Sequence, residues 1–248
     1  MMSDLREQTA VITGGSSGIG RAIALGLAAQ GASLCLIGRN VRALKDVAAK
    51  GYQSATCRIY EADLACSEGV QQAAENIKND FGHVDILIHS AGDYSMGLIT
   101  SAPVEELDRQ YRVNLRAPYV LTQSLLPAMR LRGGQIVFIN SSVGLRAKAG
   151  VSQYAASKHA LKAFADSLRE EVNADGIRVL SIFPGRTATA MQETVHHLEG
   201  RAYDPSKYIQ PEDVAAVIIN ALMLPWTGEI TDITIRPMKK ISSEKDRH

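Results

Sequence analysis

Short apolar runs rich in β-branched residues alternate with longer helix-patterned runs along the whole chain, and this order constrains the fold more than any other feature. ILIH and IVFIN are apolar nearly throughout rather than at every second residue, as in strands covered by helices on both faces of a sheet. The pattern predicts strands at Thr9–Thr13, Ser33–Ile37, Thr56–Glu61, Ile86–His89, Gln135–Asn140, Arg178–Phe183 and Ile230–Ile235. Helices are predicted near Gly18–Gln30, Val41–Lys50, Ser67–Phe81, Pro103–Arg130, Val151–Asp175 and Pro211–Leu224. Seven strands is one short of the eightfold barrel, which leaves an α/β chain with a doubly wound, mainly parallel sheet. No linker or internal period divides residues 1–248, so one domain is expected. The polar stretch 187–208 is expected to be an irregular substrate lid, and 238–248 a flexible tail.

Composition removes several classes of function. With 46% apolar and 21% charged residues the chain can bury a core. Its 27 Lys+Arg balance 26 Asp+Glu, so nothing in the charge points to nucleic acid. The longest apolar stretch, Val214 to Trp226, is too short to cross a bilayer, and MMSDLREQTAVIT lacks the design of a signal peptide. Cys35, Cys57 and Cys66 are odd in number and show no metal spacing, which fits free thiols in a reducing compartment. These readings predict a cytoplasmic protein without nucleic-acid or membrane partners.

The first strand runs into TGGSSGIG, Thr13 to Gly20, and a helix follows. Gly14 suits the tight turn, Gly18 a close approach of backbone to a pyrophosphate, and Gly20 close packing of helix on sheet. Free N–H groups at the helix start would meet the phosphates. The second strand ends in Gly38-Arg39, with no acidic residue to take a ribose 2′-hydroxyl. A guanidinium there matches a 2′-phosphate, and a charge-assisted bond of roughly 1.5–3 kcal/mol would favour NADP(H) over NAD(H). Asp63, ending the third strand, can meet an adenine amino group or cap a turn.

A second cluster is YAASK, Tyr154 to Lys158. Four residues of helix place phenol and ammonium on one face, where the cation is expected to lower the phenol's pKa. Ser141, thirteen residues before Tyr154 at a strand end, offers a hydroxyl to a substrate oxygen. Strand alternation is expected to turn its rival, Ser142, to the other side. Asn114 lies just before Pro118, where the helical ladder should be disturbed, and its amide would connect Lys158 to water.

Across nearly its whole length the chain resembles the short-chain dehydrogenase/reductase family, through TGGSSGIG, Asp63-Leu64, HSAG at His89 to Gly92, Asn114, Ser141, YAASK and PGRTAT at Pro184 to Thr189. The resemblance implies a Rossmann-like fold and an NADP(H)-dependent oxidoreductase that interconverts a ketone or aldehyde and its alcohol. Asn114, Ser141, Tyr154 and Lys158 would form the catalytic tetrad. Cofactor contacts would come from Gly14, Ser16, Ser17, Gly18, Ile19, Gly20, Arg39, Asp63, Leu64, Ser90, Ala91, Gly92, Tyr154, Lys158, Pro184, Gly185, Thr187 and Thr189. A homodimer or homotetramer is implied, with a small-molecule carbonyl or alcohol as substrate and no metal. HSAG departs from the family's usual NNAG, and TDITIRPM stands where a Gly-rich ending is usual. The alternatives are a 3-oxoacyl thioester reductase of the same family or a non-catalytic NADP-binding regulator. The substrate is expected to meet Asp93, Tyr94, Met96, Leu145 and Arg146. Arg146, Arg186, His196 and His197 would permit an acidic substrate, but side chains of this kind in a lid are more often simply solvated.

Overall fold

The structure, a computed structural model, describes residues 5–51 and 56–239. Seven strands, β1 (Thr9–Thr13), β2 (Ser33–Gly38), β3 (Cys57–Glu61), β4 (Ile86–His89), β5 (Gly134–Ile139), β6 (Ile177–Pro184) and β7 (Asp232–Ile235), form one sheet in the order β3-β2-β1-β4-β5-β6-β7. All six pairings are parallel. The α/β, doubly wound architecture expected from the sequence is therefore present. The order reverses at β1, which pairs with β2 on one side and β4 on the other, and a crevice opens outside the strand C-termini at such a switch.

Alternate side chains of each strand serve opposite faces, which explains why the runs are apolar throughout. Ile12, Leu36 and Ile88 face one core, closed by α1 (Gly18–Ala29), α2 (Val41–Gly51) and α8 (Pro211–Leu222). Their neighbours Val11, Ile37 and Leu87 face the other, closed by α3 (Ser67–Phe81), α5 (Ala117–Met129) and α6 (Ser152–Val172). Moving any of these strands by one residue would exchange the two cores.

Two expectations need correction. The helix predicted over Pro103–Arg130 is divided into α4 (Val104–Tyr111), a π turn at Arg112–Arg116, and α5. Pro118 has no N–H to give the Asn114 carbonyl four residues earlier, and the ladder widens there, with the Ala117 N–H donating to Arg112 instead. The stretch 187–208 is irregular only in part. It contains α7 (Ala190–Leu198), capped by Thr189, whose hydroxyl accepts from the Gln192 N–H at 3.2 Å. Its base is stapled by a Thr187–Ile209 bridge and an Ala188 N–H bond to the Ile209 carbonyl at 2.7 Å. The helix was hard to read because the residue it buries is polar, His196. The tail from residue 240 lies outside the described residues. Among the described residues no helix is long and apolar enough to cross a membrane.

Candidate active site

A cavity of about 600 Å³ lies outside the strand C-termini, walled by the loop after β1, the ends of β2 and β3, the loops after β4 and β5, α6 and α7. At one end the backbone is packed so closely that only glycine fits. Gly14 has φ +67°, and a Cβ there would lie 2.8 Å from the Ala91 Cα. A Cβ on Gly20 would lie 2.4 Å from the Gly14 carbonyl oxygen. Thr13 locks the same region. Its hydroxyl accepts from the Ser90 and Ala91 N–H groups, both at 3.1 Å, and so ties β1 to the loop after β4. Ser17, the N-cap of α1, makes no side-chain bond to the helix N–H groups, which therefore remain available to an anion. Arg39 is exposed on the wall and forms no ion pair among the described residues. Asp63 is also on the wall, and its carboxylate accepts from the Ala65 N–H at 3.0 Å, so the turn role is real. Ser16, Ile19, Leu64, Ser90, Gly92, Pro184, Gly185, Thr187 and Thr189 all border the cavity.

At mid-cavity Tyr154 and Lys158 project from α6, the phenol ring centroid 5.8 Å from the ammonium, and both are buried. The Ser141 hydroxyl faces the Tyr154 phenol closely enough to lower its pKa, and both residues border the cavity. Ser141 is itself placed by Asn140, whose Oδ1 accepts from the Ser141 N–H at 2.8 Å while its Nδ2 donates to the Lys158 carbonyl at 3.1 Å. Gly144 makes room for that clamp, since a Cβ there would lie 2.4 Å from Asn140 Oδ1. Ser142 does not turn away as strand alternation predicted, because the chain has already entered a 3₁₀ turn, and it too borders the cavity.

The electrostatics differ from the expectation. Burial pushes the Tyr154 phenol up to about 12, against a lowering influence of the Ser141 hydroxyl. Burial also brings the Lys158 ammonium down to about 8, and its Nζ donates to the Ile139 carbonyl at 3.0 Å. The phenol is thus held in its protonated form. Asn114 stands behind the wall rather than on it. Its Oδ1 accepts from the Asp93 N–H at 2.7 Å, and its Nδ2 donates to the Asp93 carbonyl at 2.9 Å and to Ser157 Oγ at 3.0 Å. The side chain therefore joins the loop after β4 to α6.

The other end of the cavity is built from side chains. Tyr94 meets Tyr154 edge-on, ring centroids 4.9 Å apart, and Met96 and Asp93 share the wall as expected. Leu145 and Arg146 do not; Lys148, Ala149 and Val151 from the same loop take their place. Arg186 is on the wall, but both oxygens of Glu199 accept from its Nη2, at 2.7 and 2.9 Å. His196 is buried beneath it, sharing a 2.6 Å bond with the Tyr208 hydroxyl and a 2.8 Å bond with the Gln192 carbonyl. His197 is exposed and off the wall. Neither histidine presents a cation to the cavity.

Residues 8–200 match the family model described as short chain dehydrogenase. An uncharacterized oxidoreductase of Staphylococcus epidermidis is 32% identical over 96% of this chain and 100% of its own length. The chain belongs to the short-chain dehydrogenase family. Solved relatives of this short-chain dehydrogenase include an alcohol dehydrogenase from the archaeon Thermococcus sibiricus complexed with 5-hydroxy-NADP, at TM-score 0.86 and 25% identity, covering 96% of this chain and 100% of that one. A second is L-sorbose reductase from Gluconobacter frateurii complexed with NADPH and L-sorbose, at TM-score 0.85 and 29% identity, covering 95% and 97%. The family acts on the CH–OH/C=O pair, and this chain is accordingly an oxidoreductase.

In this short-chain dehydrogenase several site residues escaped the sequence reading. In sequence Asn140 reads only as the end of a strand, although Gly144 four residues on hints that something packs tightly there. Arg109 reaches the wall from α4 and pairs with Asp93 at 3.0 Å and Glu106 at 2.8 Å. Glu199 and Lys148 carry no local signal, because their importance depends on partners, or the lack of them, from other elements.

Proposed function

We propose that this chain is an NADP(H)-dependent carbonyl reductase interconverting a ketone or aldehyde and its alcohol, with Tyr154 as general acid in reduction and general base in oxidation. The observation that carries the reading is the Tyr154 phenol with the Lys158 ammonium beside it and the Ser141 hydroxyl facing it, on the same cavity as the glycine loop. The loop fits a dinucleotide. Glycines at 14 and 20 stand where a Cβ would collide, Gly18 has φ +52°, the N–H groups of α1 lack a side-chain cap, and Arg39 forms no ion pair among the described residues that would keep it from a 2′-phosphate. These features and the NADP-complexed relatives support NADP(H) over NAD(H). The wall residues named above would hold it.

The nicotinamide, when bound, supplies or accepts hydride. The chain's own residues handle the oxygen and its proton. Ser141 donates to the carbonyl oxygen as negative charge grows on it, and Tyr154 delivers the proton. A phenol pushed up to about 12 by burial is protonated at neutral pH, as reduction requires. The Lys158 ammonium then faces the phenolate that is left and stabilises it. Asn114 is a positioning residue that fixes the loop after β4 against α6. Residues 187–208 cover the substrate end as a lid on a stapled base. The chain acts as one domain, in the cytoplasm, consistent with cysteines that form no disulfide among the described residues. Exposed Leu107, Tyr111 and Tyr119 on neighbouring helices support a homodimer or homotetramer.

Loss of absorbance by NADPH in the presence of a panel of ketones, aldehydes and 3-oxoacyl thioesters tests the reading. Tyr154→Phe should retain cofactor binding and lose roughly 10²–10⁴-fold in turnover. Cofactor binding without turnover on any member of the panel would establish the non-catalytic regulator instead.

A further inference from the structure

The substrate end of the cavity carries a charge pattern that selects among carbonyl compounds. Its two carboxylates are matched: Asp93 by Arg109 at 3.0 Å and Glu199 by Arg186 at 2.7 Å. Arg109 is held a second time by Glu106 at 2.8 Å. The Lys158 ammonium is buried and engaged with the Ile139 carbonyl, and Arg39, after β2 and near enough to Asp93 to act on its charge, is the cation that the NADP(H) reading commits to the 2′-phosphate. Lys148 is what remains. It is exposed, borders the cavity, and forms no ion pair or hydrogen bond among the described residues.

Its position is fixed by the surrounding backbone. The Gly97 N–H donates to the Gly150 carbonyl at 2.9 Å, which joins the loop after β4 to the loop bearing Lys148. Ser95 Oγ reaches Gln153 Oε1 at 3.4 Å, one residue before Tyr154. Around this mouth lie Tyr94, Met96, Val151 and Val195, side chains with little capacity to solvate an ion. One unpaired ammonium beside an apolar wall, with the other wall charges engaged in ion pairs, recognises a single anionic group attached to an apolar body.

We propose that Lys148 is a specificity-determining residue that binds the carboxylate of an oxo-acid substrate while the carbonyl lies at Tyr154. This rests on the carbonyl-reductase reading above. A lysine suits the place because its flexible stem lets one ammonium follow a carboxylate through the opening, whereas the arginines of this wall are committed to fixed forks.

The test is a calorimetric titration of levulinate, and separately of its amide, into the protein saturated with NADP. Levulinate should bind about tenfold tighter than the amide, the margin of a charge-assisted over a neutral hydrogen bond, and the margin should shrink with added salt. Lys148→Met should remove the preference and Lys148→Glu should reverse it. Arg146→Met, two residues away but off the wall, should keep it. Equal affinity for acid and amide in the wild type, failure of both to bind, or a preference that survives Lys148→Met would each overturn the proposal. NADPH-dependent turnover of a neutral ketone, followed in parallel, separates the two readings. Turnover without acid preference removes only the role of Lys148, while acid preference without turnover on any carbonyl compound removes only the reductase assignment.

Discussion

The glycine-loop end and the α7 end of the cavity are made by opposite means. At the first, backbone lies against backbone: Gly20 on the Gly14 carbonyl, Gly14 on Ala91, and the Thr13 hydroxyl between β1 and the loop after β4. At the second, the packing is side chain on side chain, with Arg186 clasped by Glu199 and His196 set among Gln192, Tyr203 and Tyr208. Backbone contact tolerates few substitutions and serves whatever part of a ligand does not vary. Side-chain contact can be rewritten residue by residue, which suits the end that must distinguish substrates.

The contrast is broken most severely at Gly20. An alanine methyl 2.4 Å from a carbonyl oxygen must push α1 away from the loop after β1, and overpacking of this kind costs about 1–3 kcal/mol. Gly20→Ala should lower NADPH affinity about a hundredfold by fluorescence titration. Unchanged affinity would mean that the close approach of helix and loop has nothing to do with the ligand. Next in size is Arg39→Asp, which exchanges a phosphate-matching fork for a carboxylate suited to a free ribose hydroxyl. The ratio of kcat/KM for NADPH over NADH should fall roughly ten- to hundredfold.

These two ends also differ in how far they can be read from sequence. TGGSSGIG, Arg39 and the Ser141, Tyr154, Lys158 trio were legible because each need is met by one residue type at one place in a strand–loop–helix unit. The sheet was legible for the same reason, down to the disturbed ladder before Pro118. The α7 end was not. Arg186 reads as a free cation until Glu199 is brought against it, and His196 reads as solvated until Tyr208 is seen twelve residues on. Nor does sequence give dielectric surroundings. The spacing of Tyr154 and Lys158 suggests a lowered phenol, but desolvation is the leading cause for both side chains and pushes the phenol up and the ammonium down.

Glu199→Gln sharpens the comparison at the substrate end. The pair is only partly exposed, 34% for the Arg186 side chain and 20% for Glu199, so removing one charge leaves a half-buried guanidinium with a neutral partner on the cavity wall. Substrate KM should shift about tenfold while the Kd of NADPH moves less than about twofold, a split measurable by steady-state kinetics and titration. Equal shifts in both would show that the lid and the glycine loop are one mechanical unit. The freed Arg186 should also strengthen any preference for anionic substrates, which would act in the same direction as Lys148.

The smallest effect tests the place where the two ends meet. Lys158 is buried with its ammonium on the Ile139 carbonyl and its own carbonyl held by Asn140, so the folded state disfavours its charge and its pKa falls from 10.5 to about 8. Between those values the unfolded chain binds more protons at this lysine than the folded chain does. The folded state therefore gains stability from Lys158 as pH rises through 8, and carries the full penalty of the buried cation below it. From pH 8 to pH 9 the gain is about 1 kcal/mol. Cys35 and Tyr154, both raised by burial, act in the opposite direction at higher pH but are present in both chains when wild type is compared with Lys158→Met. Urea unfolding of the two at pH 7, 8 and 9 should show the variant more stable at pH 7, with its advantage shrinking by about 1 kcal/mol between pH 8 and 9. A difference that does not vary with pH would mean that the ammonium is solvated in the folded protein, and the phenol of Tyr154 would then lack the dry, fixed cation on which its proton transfer depends.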